Sequence, residues 1–85
     1  MKFYVYFLIS QNNGDLYIGS TENVGKRVLL HNSGKVKSTQ AYRPWKLVGY
    51  EKLDSRGEAV RRERFLKTGQ QKEILKRKFG AMAKR

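Results

Sequence analysis

The chain has 85 residues, with 19 Lys and Arg against 7 Asp and Glu, for a formal charge of +12. That length holds one domain with one modest core and excludes a multidomain enzyme. It is 39% hydrophobic and 31% charged, which suits a folding domain, and no stretch approaches the roughly 18 apolar residues that span a bilayer.

Residues 3–9, FYVYFLI, are β-branched or aromatic almost throughout and too short for a helix, so they predict a buried strand. No small-residue cleavage site follows this run, so a signal peptide is not expected and the chain is placed in the cytoplasm. Asn13-Gly14 within SQNNGD is a hairpin signal, and Leu16 to Ser20 forms the return strand. Thr21 and Asn23 are both candidate N-caps of a helix running to about His31 or Asn32, with Gly34 suited to the left-handed position beyond its end. Residues 35–44, KVKSTQAYRP, have no clear period and predict a basic loop closed by Pro44. Trp45 to Leu53 is the third strand. Ser55-Arg-Gly-Glu58 is a capping box opening a helix that lasts to about Thr68 and stops at Gly69. A last basic helix covers roughly Gln71 to Phe79, ends at Gly80, and leaves residues 81–85 as a short basic tail. The order β-β-α-β-α-α predicts a single α+β domain over residues 1–80, a three-stranded, largely antiparallel sheet flanked by helices.

Cysteine is absent, which excludes disulfides and thiolate zinc sites, and a single histidine excludes a multi-His metal centre. The charge is uneven: residues 1–55 hold eight bases and four acids, residues 56–85 eleven bases and three acids. Such a field suits a polyanion such as nucleic acid, although it also serves as a solvated, repulsive surface.

Three features stand out from this frame. A two-residue turn at Asn13-Gly14 pairs Asn12 with Asp15, which puts Tyr4, Tyr6 and Leu8 on one sheet face with Tyr17 and Gly19. Phe3, Val5, Phe7 and Ile9 then share the other face with Leu16 and Ile18. One face is aliphatic core; the other is lined by tyrosines and ends in a glycine that leaves room for something to approach. Tyrosines also line ordinary cores with a wet hydroxyl, and in this register Tyr6 and Tyr17 lie several residues apart along the strands. Arg27 and His31 are spaced i, i+4 and stack on one side of their helix, beside Val24 and Val28. Together they could bind a phosphate, or be a boundary arginine and a helix-end histidine favoured by the dipole. Glu63 falls within the apolar arc of its helix, between Ala59, Leu66 and Val60. An inward carboxylate must be paired, here with Arg27 or Lys67, or must hold a cation.

Tyr4-Val5-Tyr6, ten residues, then Tyr17-Ile18-Gly19 resembles the two-part signature of the GIY-YIG nuclease family. STENVGKRVLLHNSG, RPWKLV and EAVRRERFLK continue the likeness over about residues 2–76, closest to the small stand-alone bacterial members. The resemblance implies that Tyr17 activates or positions the attacking water and that Tyr6 orients Tyr17 near the scissile phosphate. It implies that Arg27 stabilises the phosphorane-like charge, that His31 assists proton transfer, and that Gly19 gives backbone clearance. Glu63 would ligate a single divalent metal, magnesium or manganese, and should line one cleft with Tyr17 and Arg27. Two departures are plain: Tyr4 stands where the first signature has its glycine, and no asparagine follows Asn32, where several relatives have one after the metal-binding glutamate.

The resulting expectation is a metal-dependent endonuclease that hydrolyses DNA phosphodiester bonds, structure- or single-strand-directed, in DNA repair or processing. Lys26, Lys35, Lys37, Arg43, Lys46, Arg61, Arg62 and Arg64 are expected to bind the DNA backbone. Tyr42 could stack on unpaired bases, whereas Trp45 is expected in the core. No membrane partner is expected; a weak homodimer or delivery by a partner protein stays open. The alternative is a nucleic-acid-binding module without cleavage, and a third reading is a ribosome- or RNA-associated basic protein.

Overall fold

A computed structural model describes residues 2–83. The chain runs β1 (Phe3–Ser10), β2 (Leu16–Thr21), α1 (Val24–Asn32), a 3-10 turn (Gln40–Tyr42), β3 (Trp45–Leu53), α2 (Arg56–Leu66) and α3 (Gly69–Ala83). The sheet order is β2-β1-β3 with both pairings antiparallel, the α+β arrangement expected from the sequence. Among the described residues no helix is long and apolar enough to cross a membrane.

The hairpin register differs from that of a two-residue turn. Ile9 pairs with Leu16 and Tyr6 with Gly19, so the strands are offset by two residues. Ser10 is the cause. Its hydroxyl accepts from the backbone N–H of Asn12 and Asn13 at 3.0 and 3.1 Å, while its own N–H donates to the Asp15 carbonyl at 2.9 Å. The loop therefore spans Gln11 to Gly14, with Gly14 in the left-handed region at φ 78°. An offset of two keeps the side-chain parity, so each face holds the residues expected of it. It also removes the separation between the tyrosines: Tyr6 opposes Gly19, and Tyr17 opposes Leu8, one pleat away.

Helices α2 and α3 cover the aliphatic face. Val5, Phe7, Ile9, Leu16 and Ile18 pack there with Ala59, Leu66 and Phe79. Phe7 stacks on Phe79 at 5.2 Å between ring centroids, and burial of each such side chain is worth about 1.5–3 kcal/mol. This anchor explains why α3 continues through Gly80 to Ala83 rather than ending at Gly80. One helical glycine costs about 1 kcal/mol, less than the packed Phe79 immediately before it supplies. Of the tail expected over 81–85, residues 81–83 thus belong to α3, and residues 84–85 lie outside the described residues.

Helix α1 covers the tyrosine face, where Tyr6, Leu8 and Trp45 are buried with Tyr17, Val24, Val28 and Leu47 against them. Asn23 caps it, its side chain accepting from the Lys26 N–H at 3.0 Å. At the other end Asn32 imitates a strand partner: Trp45 N–H donates to its Oδ1 at 2.6 Å and its Nδ2 donates to the Trp45 carbonyl at 2.9 Å. The segment expected as an irregular loop is tied down as well. Thr39 is fully buried, and the Trp45 indole N–H donates to its carbonyl at 2.8 Å.

Candidate active site

Tyr6 is 1% exposed and lies directly across from Gly19. A Cβ on Gly19 would stand 2.6 Å from the Tyr6 hydroxyl oxygen, inside van der Waals contact. The space expected at this glycine for an incoming group is thus filled by the Tyr6 ring itself. Glycine clears the way for a side chain of the same domain.

The i, i+4 pair on α1 faces this tyrosine. His31 Nε2 lies 2.8 Å from the Tyr6 hydroxyl, and Arg27 Nε donates to the same oxygen at 3.4 Å. His31 is fully buried, and its Nδ1 lies 2.8 Å from the Thr39 hydroxyl oxygen. The Thr39 hydroxyl donates to the Val36 carbonyl at 3.3 Å. These contacts favour one placement of the protons. With the Thr39 proton on the Val36 carbonyl, Thr39 would accept from His31 Nδ1–H, and the neutral ring would accept the Tyr6 proton at Nε2. Burial, then the Arg27 charge, holds His31 below its ordinary 6.5, which keeps the ring neutral. Burial pushes the Tyr6 hydroxyl up to about 12 against the pull of Arg27, with the Tyr17 hydroxyl raising it further. Tyr6 is therefore a protonated donor at neutral pH.

Tyr17 is half-buried at the mouth of this cluster. Its ring lies 6.1 Å from Tyr6, 4.8 Å from His31 and 6.2 Å from Trp45, centroid to centroid. Between α1 and the start of α2, with Arg27 in its wall, is a depression of about 500 Å³. Lys26, Arg27 and Arg56 supply three cations to its wall, Ser20 and Thr21 hydroxyls, and Glu22 the one acid. Arg56 is braced there, its guanidinium 5.8 Å from the centre of the Phe3 ring.

Glu63 stands apart from the tyrosine cluster. It sits on α2, across the sheet from α1, and Lys67 Nζ holds its Oε2 at 2.7 Å. Of the two ion pairs open to it from sequence, the structure forms the one with Lys67. Glu63 lies two helical turns from Arg56, so both occupy one stripe of α2, and Arg56 reaches the depression that Arg27 also lines. Among the described residues no group of three or more His, Cys, Asp or Glu is placed to hold a metal. A cation at Glu63 would rest on one carboxylate plus water and phosphate oxygens, a donor set that suits magnesium.

The remaining basic residues divide. Lys26, Lys35, Lys37, Arg43, Lys46, Arg61 and Arg64 are exposed. Arg62 is not a free cation as the charge count suggests: it forks onto Glu51 of β3, with Nε to Oε1 at 2.7 Å and Nη2 to Oε2 at 3.1 Å. Helical geometry is the reason, because Arg62 flanks the buried Ala59 and Leu66 on the side toward β3.

A family model described as the GIY-YIG catalytic domain matches residues 2–78. The chain belongs to the GIY-YIG family. A UPF0213 protein of Staphylococcus haemolyticus is 43% identical over 76 residues, covering 88% of this chain and 92% of the relative. A UPF0213 protein of Syntrophus aciditrophicus is 44% identical over 68 residues, covering 78% of this chain and 77% of the relative. The solution NMR structure of a UPF0213 protein from Bacillus halodurans is similar at a TM-score of 0.54 and 37% identity, over 88% of this chain and 82% of that one. A nuclease-type catalytic domain thus occupies nearly the whole chain.

In this GIY-YIG domain the structure gathers Tyr6, Tyr17, Arg27, His31 and Gly19 into one cluster and leaves Glu63 on the helix that covers the opposite face of the sheet. Two residues of the site escaped the sequence reading. Thr39 lies in a segment without periodicity, and its burial depends on the Trp45 indole, a contact no local pattern encodes. Arg56 had a legible signal, its spacing of seven from Glu63, which puts both on one helix stripe.

Proposed function

We propose that this domain is an endonuclease that hydrolyses DNA phosphodiester bonds with one divalent metal ion, magnesium or manganese. The observation that carries the reading is the placement of Tyr6 between Arg27 Nε and His31 Nε2, behind Tyr17, with Arg27 also lining a cationic depression. Tyr17, the more accessible of the two tyrosines, takes the attacking water on its hydroxyl oxygen. Tyr6 stays protonated and fixes the position of Tyr17 and Arg27. Arg27 offsets the charge that develops on the phosphoryl oxygens, in a site whose inner wall excludes water. Lys26 and Arg56 hold the flanking phosphates.

Glu63 would hold the metal, which when bound neutralises charge on the phosphate and its leaving group. The Lys67 contact does not oppose this, because a half-exposed i, i+4 pair is worth only about 0.3–0.5 kcal/mol and yields to a divalent ion. A domain this small contacts few nucleotides. Strand-directed repair or processing would suit it, with specificity supplied by DNA structure, a second copy or a delivering partner.

Incubation of supercoiled, linear and single-stranded DNA with the purified chain and Mg²⁺ or Mn²⁺ should give nicks or fragments that EDTA abolishes. DNA binding with no cleavage of any form would favour a non-catalytic binding module instead.

A further inference from the structure

We propose that Thr39 is a positioning residue of this active site, setting the direction of the hydrogen-bond chain that runs from Tyr6 through His31. The inference rests on the nuclease reading for its kinetic consequence but not for its structural one. Thr39 is the one fully buried residue of the basic segment 35–44, and its surroundings leave its hydroxyl little freedom. Its N–H donates to the Val36 carbonyl at 3.1 Å, its own carbonyl accepts the Trp45 indole N–H at 2.8 Å, and its hydroxyl donates to the Val36 carbonyl at 3.3 Å. With its proton directed to Val36, the hydroxyl oxygen, 2.8 Å from His31 Nδ1, meets the ring as an acceptor.

That constraint propagates. An acceptor at Nδ1 holds the proton on Nδ1 and leaves the Nε2 lone pair to take the Tyr6 proton, so Tyr6 points its hydrogen inward. The Tyr6 oxygen then offers lone pairs to the mouth, where Arg27 Nε–H uses one and the other faces Tyr17. With the opposite tautomer, Nε2–H would donate to Tyr6. Arg27 and His31 would then both donate to one oxygen, and the Tyr6 proton would turn out toward Tyr17.

A proton delivered from the mouth can therefore travel inward only with the Nδ1–H tautomer. The bond from that proton to the Tyr6 oxygen forms as the Tyr6 O–H bond breaks. The released proton joins Nε2, and the product is an imidazolium with Nδ1–H still on Thr39. No other reactant is needed. The groups facing His31 are Tyr6 from β1, Tyr17 from β2, Arg27 from its own helix, the Trp45 ring beyond Tyr17, and Thr39. Arg27 is the only charge among them. The same segment carries exposed Lys35, Lys37 and Arg43, so nucleic acid held by those cations would bear on the segment that holds the residue setting the tautomer.

The test is ¹⁵N NMR of the single histidine in the wild-type chain and in Thr39→Val and Thr39→Ser, alongside steady-state cleavage. The wild type and Thr39→Ser should show the Nδ1–H tautomer at neutral pH, and Thr39→Val should lose it. Cleavage by Thr39→Val should fall about 10–100-fold in kcat with little change in KM, and Thr39→Ser should recover most of it. A wild-type histidine in the Nε2–H form, or a Thr39→Val chain that keeps Nδ1–H, overturns the proposal. Both hold without any nuclease activity, so a chain that cleaves nothing defeats the nuclease reading separately. Should Thr39→Val fail to fold, the wild-type tautomer and the Thr39→Ser kinetics still decide.

Discussion

Gly19 and Tyr6 face each other across β2 and β1, with 2.6 Å between the Tyr6 hydroxyl and the point where a Cβ on Gly19 would stand. Tyr6 is 1% exposed and held by His31 and Arg27, so it has nowhere to retreat without giving up those bonds. Gly19→Ala should destabilise the fold by about 1–3 kcal/mol through overpacking and should also displace Tyr6 from His31. Urea unfolding and the His31 ring shifts measure the two effects. An alanine variant as stable as the wild type, with unmoved histidine resonances, would show that the cross-strand contact constrains nothing.

His31 ties the site to pH. Burial and Arg27 keep its folded-state pKa below 6.5, the value it regains on unfolding. Below pH 6.5 the unfolded chain therefore binds a proton that the folded chain refuses. The contribution to stability is complete above that value and is lost as pH falls toward the folded pKa. Urea midpoints should drop between pH 7.5 and 5.5, and His31→Gln should flatten that part of the profile. Cleavage should fall only at the lower pH where the folded-state imidazole itself takes up a proton, because an imidazolium cannot accept the Tyr6 proton.

Salt dependence sorts the basic residues. Lys26→Ala and Arg56→Ala should each reduce the slope of log K against log salt for DNA by about 0.7–0.9, since each removes one phosphate contact. Arg62→Ala should leave the slope unchanged and lower stability by about 0.5–1 kcal/mol, because its partner is Glu51 at the protein surface. An equal change of slope in all three variants would mean that the Arg62–Glu51 pair opens to DNA.

Glu63 separates metal use from folding. Glu63→Gln should abolish Mg²⁺-dependent cleavage while moving the urea midpoint little, as only the half-exposed pair with Lys67 is lost. Lys67→Ala should retain cleavage, and it should need no more Mg²⁺ than the wild type. A Lys67→Ala chain that loses cleavage as Glu63→Gln does would make the ion pair, rather than a metal, the role of this carboxylate.

Much of this was legible in the residues. The strand FYVYFLI, the Asn23 and Ser55 caps and the third strand follow from local chemistry, and each forms where its pattern puts it. The two sheet faces were also legible, because side-chain parity survives a register offset of two. The offset itself was not, since it depends on the Ser10 hydroxyl taking up the Asn12 and Asn13 N–H groups instead of the Asn13-Gly14 pair making the turn. Without it the tyrosines lie several residues apart along the strands. Thr39 was hidden for a related reason: its burial is decided by Trp45, His31 and Val36 converging on it, and no spacing in KVKSTQAYRP announces that. Arg62 shows the limit of counting charge, because its partner Glu51 lies on another element eleven residues away.

Tyr17, backed by Tyr6 and Arg27, is the residue proposed to carry metal-dependent cleavage of DNA. The most direct measurement of that role is the rate of Mg²⁺-dependent cleavage by the wild type and by Tyr17→Phe under single-turnover conditions, with DNA binding followed in EDTA. The account predicts cleavage by the wild type, binding of DNA by both, and a loss of at least about 100-fold in rate for Tyr17→Phe, within the range of a lost acid–base group. Undiminished cleavage by Tyr17→Phe would contradict it.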